Sequence, residues 1–406
     1  MGTLYIGNTV ISTISKLKVG SSSVQKIYAG STLLFPSSSV VSPTGSIDTS
    51  FNIGTGFGGG FIESLALNSS GSIYAGGSFT TYSGSTQNRL IKLNSNGSQD
   101  TSFNIGTGFN NTVWTTVVDS NGKILVGGSF TTYSGSTQNY LVRLNTDGTK
   151  DTSFNMGTGF NDVVWAAAID SNGKILVGGN FTTYSGSSQN YLIRLNSDGT
   201  KDTSFNIGSG FTGYTSQRGL VDEIVVNSDG KILVGGNFLT YQGTGSNYLT
   251  RINSDGSKDT SFNTSNAFDS WVYTMAVDSN GKIVAGGKFT FFANTGSNHL
   301  IRLNSDGTKD TSFNIGSGFN AIVYSIAIDS NGKILAGGSF TTYSGSTQNY
   351  LVRLNTDGTK DTSFNIGSGF DSLVSSVVIQ PDQKILTGGW FTSYSGSTQN
   401  NLVRIT

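Results

Sequence analysis

Residues 151–201 read DTSFNMGTGFNDVVWAAAIDSNGKILVGGNFTTYSGSSQNYLIRLNSDGTK, and nearly the same string stands at 100–150 and at 310–360. Self-similarity at a fixed period constrains a fold more than any single element does. DTSF begins at Asp48, Asp100, Asp151, Asp202, Asp259, Asp310 and Asp361, seven copies at steps of 51, 52 or 57 residues. The longest step holds extra residues around TGYTSQRGL (212–220).

Within the quoted copy, apolar residues alternate with small or polar ones, the period of a half-buried strand. VVWAAAID (163–170) reads as a first strand, followed by the turn SNGK. KILVGGNF (174–181) reads as a second, TTYSGSSQN as a longer loop, YLIRLN (191–196) as a third, and DTSFN (202–206) as a fourth. The Asn-Gly and Asp-Gly pairs between them suit type I′ hairpin turns, which need positive φ at both central residues. Each unit is therefore expected to be a four-stranded antiparallel meander, and seven in series predict an all-β, seven-bladed β-propeller. Neither end carries a distinct polar capping repeat, which disfavours an open β-solenoid. The first DTSFN lacks a third strand before it, and NNLVRIT (400–406) lacks a DTSFN after it. If residues 48–52 pair beside Asn401–Ile405, the two partial units complete one sheet and the ring over 48–406 closes.

Composition agrees. Gly accounts for 56 of 406 residues, charged residues for 12%, and aromatic residues for 11%. That mixture favours short strands and tight turns. Net charge is zero, from 24 basic and 24 acidic residues, which argues against a nucleic-acid partner. With no Cys, disulfide and thiol chemistry are excluded. The start MGTLYIGNTVIS lacks the basic and apolar regions of a signal peptide. No apolar run has the length of a membrane-spanning helix, so no membrane insertion is expected.

Residues 1–35 differ in kind. YIGNTVISTI, KVGSSSVQKIY and YAGSTLLF echo one another, with Lys16, Lys18 and Lys26 and no acid. They predict a small β module, joined to the repeats by a Ser/Pro linker over 36–47. Tyr5, Ile6, Ile27, Tyr28, Leu34 and Phe35 are its candidate docking residues.

Catalytic chemistry should break the repeat. His299 stands where other copies have Tyr and reads as a packed ring rather than a base. The Asp residues recurring in the SNGK and DGT turns read as turn formers. Lys92, Arg143, Arg194, Arg251, Arg302, Arg353 and Arg404 share one strand position, and each is expected to partner a repeated Asp or a carbonyl. Glu63, Asp222 and Glu223 are off-pattern acids, three repeats apart, which could share a site only across a central channel. No catalytic residue, cofactor or metal ligand is assigned. Trp114, Trp165, Trp271, Tyr273 and Tyr324 lie at or near the entry of first strands, and Tyr214 and Arg218 lie in the unique insertion. All seven are candidate ligand-binding residues, since aromatics with small polar neighbours suit adaptable recognition. The competing reading places these aromatics in the core between repeats or in the channel lining.

DTSFNIGSGF, VDSNGKILVGGSFT and LVRLNTDGTKD resemble the delta-60 repeat family over residues 48–406, which implies a β-propeller and leaves function open. Residues 1–35 resemble N-terminal modules of structural proteins of tailed bacteriophages. That resemblance implies a non-enzymatic virion component of the tail or a fibre, made in the host cytoplasm and present in several copies. It would dock to other virion proteins through residues 1–35 and display the propeller to a host-surface glycan or protein, or as a spacer. The alternatives are a polysaccharide lyase or hydrolase on a propeller scaffold, and a bacterial surface binding protein.

Overall fold

The computed structural model describes residues 44–213, 220–264 and 268–406, together with the backbone of six short strands in residues 4–36. The chain divides into two compact units, residues 1–42 and 43–406. In the first, Leu4–Ile6 pairs with Thr9–Ile11, Lys18–Val19 with Ser22–Ser23, and Lys26–Ala29 with Thr32–Pro36. These are three hairpins, one for each internal echo. The six docking candidates lie on these strands, and their side chains lie outside the described residues.

The second unit is all-β, with no helix among the described residues, and consists of seven propeller-type repeats. In the quoted copy, Val164–Ile169, Ile175–Gly179 and Leu192–Leu195 form one antiparallel sheet in that order. The middle strand is buried along its whole length, because repeats on both sides cover it. Among the described residues, seven hydrophobic clusters stabilise the unit, and each joins residues of successive repeats. One of them packs Leu386 and Leu402 of the last repeat against Ile62, Leu65 and Ile73 of the first. The inner strand of every repeat lies beside that of the next, and Val374–Ile379 lies beside Ile62–Leu67.

The fourth strand departs from expectation. A single antiparallel bridge, Leu195 to Lys201, continues the sheet, and DTSFN then turns away. Asp202 causes this: its Oδ1 accepts hydrogen bonds from Ser204 N at 3.0 Å and Ser204 Oγ at 2.7 Å. An Asp side chain that captures its own backbone this way competes with strand pairing. The loop TTYSGSSQN is also more ordered than expected. Thr183–Tyr184 pairs with Ser187–Ser188, and Phe160 bridges Tyr184 from the other side. The aromatic rings of Phe160, Phe181 and Tyr184 pack together beneath this outer hairpin.

The same Asp anchors an ion-pair cluster. Asp202 Oδ2 accepts from Arg194 Nε at 2.9 Å and from Lys174 Nζ at 3.2 Å. Arg194 also donates to the Ser254 carbonyl of the next repeat and lies over the Phe205 ring. The repeated basic position thus takes both an Asp and a carbonyl.

At the ends of the chain the pairing is displaced by one residue from the expected register. Ile47 bridges Ile405, Asp48 N donates to the Arg404 carbonyl at 2.9 Å, and Thr49 and Ser50 already belong to the turn. Residues 44–46 hydrogen-bond the Thr406 carbonyl, so the linker expected to reach 47 ends before Thr44. Arg404 Nε and Lys384 Nζ meet Asp48 Oδ2 at 2.7 and 2.9 Å. The ion-pair cluster that other repeats build within one unit is built here from both ends of the chain.

Candidate binding site at the inner strands

Six inner strands carry a register shift at the same place. It falls on Glu63, Trp114, Trp165, Tyr273, Tyr324 and Ser375. The extra residue of a β-bulge is freed from the ladder and its side chain is re-aimed. Asp222 holds the corresponding place in the fourth repeat, just before Glu223, which pairs with Gly235. In chain order these seven positions read Glu, Trp, Trp, Asp, Tyr, Tyr, Ser. All seven line one cavity of about 600 Å³ that receives residues from every inner strand.

The next residue along each strand is Ser64, Thr115, Ala166, Glu223, Thr274, Ser325 or Ser376, opposite a glycine of the second strand. That glycine admits the neighbouring repeat: a Cβ on Gly388 would stand 2.6 Å from Ile62 Cγ2. The hydroxyls stitch neighbouring inner strands together. Ser64, Thr274, Ser325 and Ser376 accept from the backbone N–H of Thr116, Ile326, Val377 and Leu65 at 3.1, 3.2, 2.9 and 3.1 Å. Glu223 replaces such a small side chain with a carboxylate.

The aromatic candidates meet in pairs. Trp114 and Trp165 lie with ring centroids 4.6 Å apart, and Tyr273 and Tyr324 5.7 Å apart. Trp271 does not line the cavity; it stands edge-on to Tyr273 at 5.6 Å, with Lys288 Nζ 5.2 Å from its ring centre. Tyr214 and Arg218 lie outside the described residues. His299 is buried, with Nδ1 3.0 Å from the Gly287 carbonyl, and is a packed ring as expected.

Two features escaped the sequence reading. Trp390 lines the cavity, is 40% exposed, stacks on Phe61 at 4.3 Å, and donates from Nε1 to Glu63 Oε1 at 3.0 Å. Its signal was present, since Trp390 stands where other repeats have Ser78, Ser129, Asn180, Asn237, Lys288 or Ser339. The second, raised from sequence only as a site that could span the channel and not assigned, is the meeting of the off-pattern acids: Glu63, Asp222 and Glu223 all line this cavity. Burial, reinforced by the Asp222 charge, pushes the Glu223 carboxyl up to about 8. Among the described lining residues there is no Lys, Arg or His, and those residues are mainly aromatic, hydroxyl-bearing, acidic or apolar.

These repeats define a β-propeller-type protein. The chain belongs to the family described as "Domain of unknown function (DUF5122) beta-propeller", whose model matches residues 69–103, 120–154, 171–205, 227–262, 279–313, 330–364 and 380–406. No curated protein matches it. Among solved structures, it is similar to the extracellular domain of a hybrid two-component system from B. thetaiotaomicron, with a TM-score of 0.52 and 17% identity. That alignment covers 90% of this chain and 41% of the other. It is also similar to the WD40 beta propeller domain of Doa1, with a TM-score of 0.51, 14% identity, and 90% and 95% of the two chains covered. At these identities the likeness concerns the fold.

Proposed function

We propose that the chain is a closed seven-bladed propeller, with four-stranded blades of which the fourth strand is a single bridge, acting as a non-enzymatic binding module. Residues 1–35 fix it to a phage tail or fibre, and the cavity at the inner strands takes a host-surface glycan. The observation that carries the binding reading is the convergence of seven bulge positions on one cavity as a ring of aromatic and acidic side chains. Aromatic faces stack on sugar rings, and carboxylates and hydroxyls orient sugar hydroxyls, the combination expected of a ligand site. The closure reading rests on the Ile47–Ile405 bridge and on the last inner strand lying beside the first. A closed ring leaves no sheet edge open.

The test is a glycan array probed with the full chain and with Trp165→Ala. Binding to a defined glycan set that the variant reduces at least tenfold, the loss of about 1.4 kcal/mol, is the expected result. Equal binding by both proteins, or none by either, overturns it. The attachment reading has its own expected outcome: deleting residues 1–36 abolishes incorporation into phage particles while the repeats stay folded by circular dichroism. Unchanged incorporation overturns it.

A second reading is favoured by one observation, the presence of Glu63, Asp222 and Glu223 in the same cavity. A carboxyl with a raised pKa near other carboxyl groups is the arrangement of a glycoside-cleaving site. Release of reducing ends from a bound polysaccharide, lost in Glu223→Gln, would favour that reading over simple binding.

A further inference from the structure

We propose that a second site, between the fourth and fifth repeats, binds a small carboxylate that carries a short alkyl group. It stands apart from the cavity at the inner strands and does not depend on the binding reading above. Three replacements meet there that no other neighbouring pair of repeats combines. Five repeats have Gln at one position, as in Gln138 and Gln348, where the fourth has Ser246. Six have Ile or Val at another, as in Ile193 and Val352, where the fourth has Thr250. Six have Ile or Met directly after DTSFN, as in Ile105 and Met156, where the fifth has Thr264.

In the regular repeats this space is filled. Gln138 is buried and donates from Nε2 to the Leu141 carbonyl, and Met156 of the following repeat packs in the same cluster as Leu141. The shorter side chains leave instead a cavity of about 290 Å³, whose lining includes Ser246, Leu249, Thr250, Lys258, Phe262 and Thr264. Ser246, Thr250 and Thr264 are all buried. Thr264 Oγ1 lies 3.5 Å from the Leu249 carbonyl, the equivalent of the acceptor that Gln138 takes, and is too far away to replace that bond fully. The cavity thus combines hydroxyl groups with the apolar side chains of Leu249 and Phe262.

Lys258 supplies the charge. Its Nζ donates to the Gly245 carbonyl at 2.8 Å and to Ser246 Oγ at 2.7 Å. An ammonium group has three donors, so one remains for a ligand. Lys123, Lys174, Lys231, Lys282, Lys333 and Lys384 each pair with an Asp. All 24 acidic residues of the chain lie among the described residues, and none of them pairs with Lys258: burial alone acts on its pKa, pushing it down. The three residues after Thr264 lie outside the described residues and are Ser, Asn and Ala, none of them charged. A partly buried ammonium without a counter-ion is unfavourable, and a bound anion relieves this. A carboxylate at Lys258 accepts from the ammonium and the neighbouring hydroxyls, while a short alkyl group covers Leu249 and Phe262.

The experiment is saturation-transfer NMR of the full chain with propionate and with propanol, an uncharged analogue of the same carbon number. Both are titrated at constant ionic strength and about pH 7, where the carboxylate is ionised. Saturable transfer to propionate, with an affinity roughly tenfold or more above that for propanol, is the expected result, the range of one hydrogen bond to a charged group. The double variant Ser246→Gln, Thr264→Ile restores the residues of other repeats and fills the cavity. It should unfold at a urea concentration no lower than the wild type and lose roughly tenfold or more of the propionate affinity. Lys258→Gln, the residue type that the first repeat has in Gln99, should weaken propionate to a similar degree and leave propanol unchanged. No saturable transfer to propionate, or equal propionate binding by the wild type and the double variant, overturns the site. Equal affinity for propionate and propanol, or unchanged propionate binding in Lys258→Gln, overturns the carboxylate assignment.

Discussion

Replacing Asp48 with alanine should lower the free energy of unfolding by about 3–5 kcal/mol, the cost of breaking a buried ion pair by removing one partner. Asp48 is 7% exposed and holds two cations, Arg404 at 2.7 Å and Lys384 at 2.9 Å. It also accepts from Ser50 N and Oγ through its other oxygen. Without the carboxylate, the Arg404 guanidinium stays buried over the Phe51 ring, with its neutralising charge gone. Five other repeats have this cluster, with the Asp and Arg eight residues apart, as in Asp151 and Arg143, while Asp100 pairs with Lys92 alone. At Asp48 the partner is 356 residues away, so the loss also loosens the contact between the two ends. Urea denaturation of the full chain measures the first effect, and amide exchange at Val403 to Thr406 the second. Asp382→Ala is the control: that carboxylate is 3.8 Å from the same Lys384 and 55% exposed, and its removal should cost less than about 0.5 kcal/mol. If Asp48→Ala unfolds at the wild-type urea concentration with unchanged exchange at 403–406, the ion pair does not hold the two ends of the chain together.

Much of this molecule is written in the chain at the level of the period. The SNGK and DGT turns, the GG that ends the second strand and the recurrent basic residue are local chemistry repeated along the chain, and each appears where the pattern puts it. Only the glycine of these turns, such as Gly122 or Gly148, takes a positive φ, so the expected type I′ geometry is not formed there. The misreadings arise where a side chain overrides the pattern. DTSFN has the composition of a strand, yet Asp202 binds the backbone two residues on and diverts the chain. TTYSGSSQN hides a hairpin because its turn is Ser-Gly, not Asn-Gly. Ser185 takes a φ of 47° and Gly186 a φ of 77°, the positive pair that a type I′ turn needs. The cavity was the least legible part. A bulge is invisible to a period-two reading, so nothing in the alternation announced that Glu63, Trp114, Trp165, Asp222, Tyr273, Tyr324 and Ser375 share one level. Comparing repeats with one another, rather than each with a strand template, exposes both that ring and Trp390.

The pH dependence of stability should have two limbs of opposite sign. On the acid side, Asp48, Asp151, Asp202, Asp259, Asp310 and Asp361 are all held well below the usual carboxylate range. Burial alone would raise them, but the Ser, Lys and Arg partners more than offset it; Asp100 is lowered mainly by its bond to Lys92. A group whose folded pKa is depressed contributes stability above its unfolded pKa and loses it as pH falls towards the folded value. Seven such groups lose it together below about pH 4, the unfolded carboxylate value, so the acid limb should be steep. Glu223 works the other way. Its folded pKa of about 8 lies above its unfolded value, so its contribution is complete at low pH and is lost as pH rises through 8. His299, lowered by burial, opposes it below about pH 6.5, where an unfolded histidine takes up a proton. Between roughly pH 6.5 and 8, then, the unfolding free energy should fall as pH rises, by at most about 1.4 kcal/mol per pH unit for one proton. Urea midpoints measured from pH 3 to 9 test both limbs. Glu223→Gln should remove the neutral limb and leave the acid limb in place. A wild-type profile flat from 6.5 to 8 would show that Glu223 titrates normally.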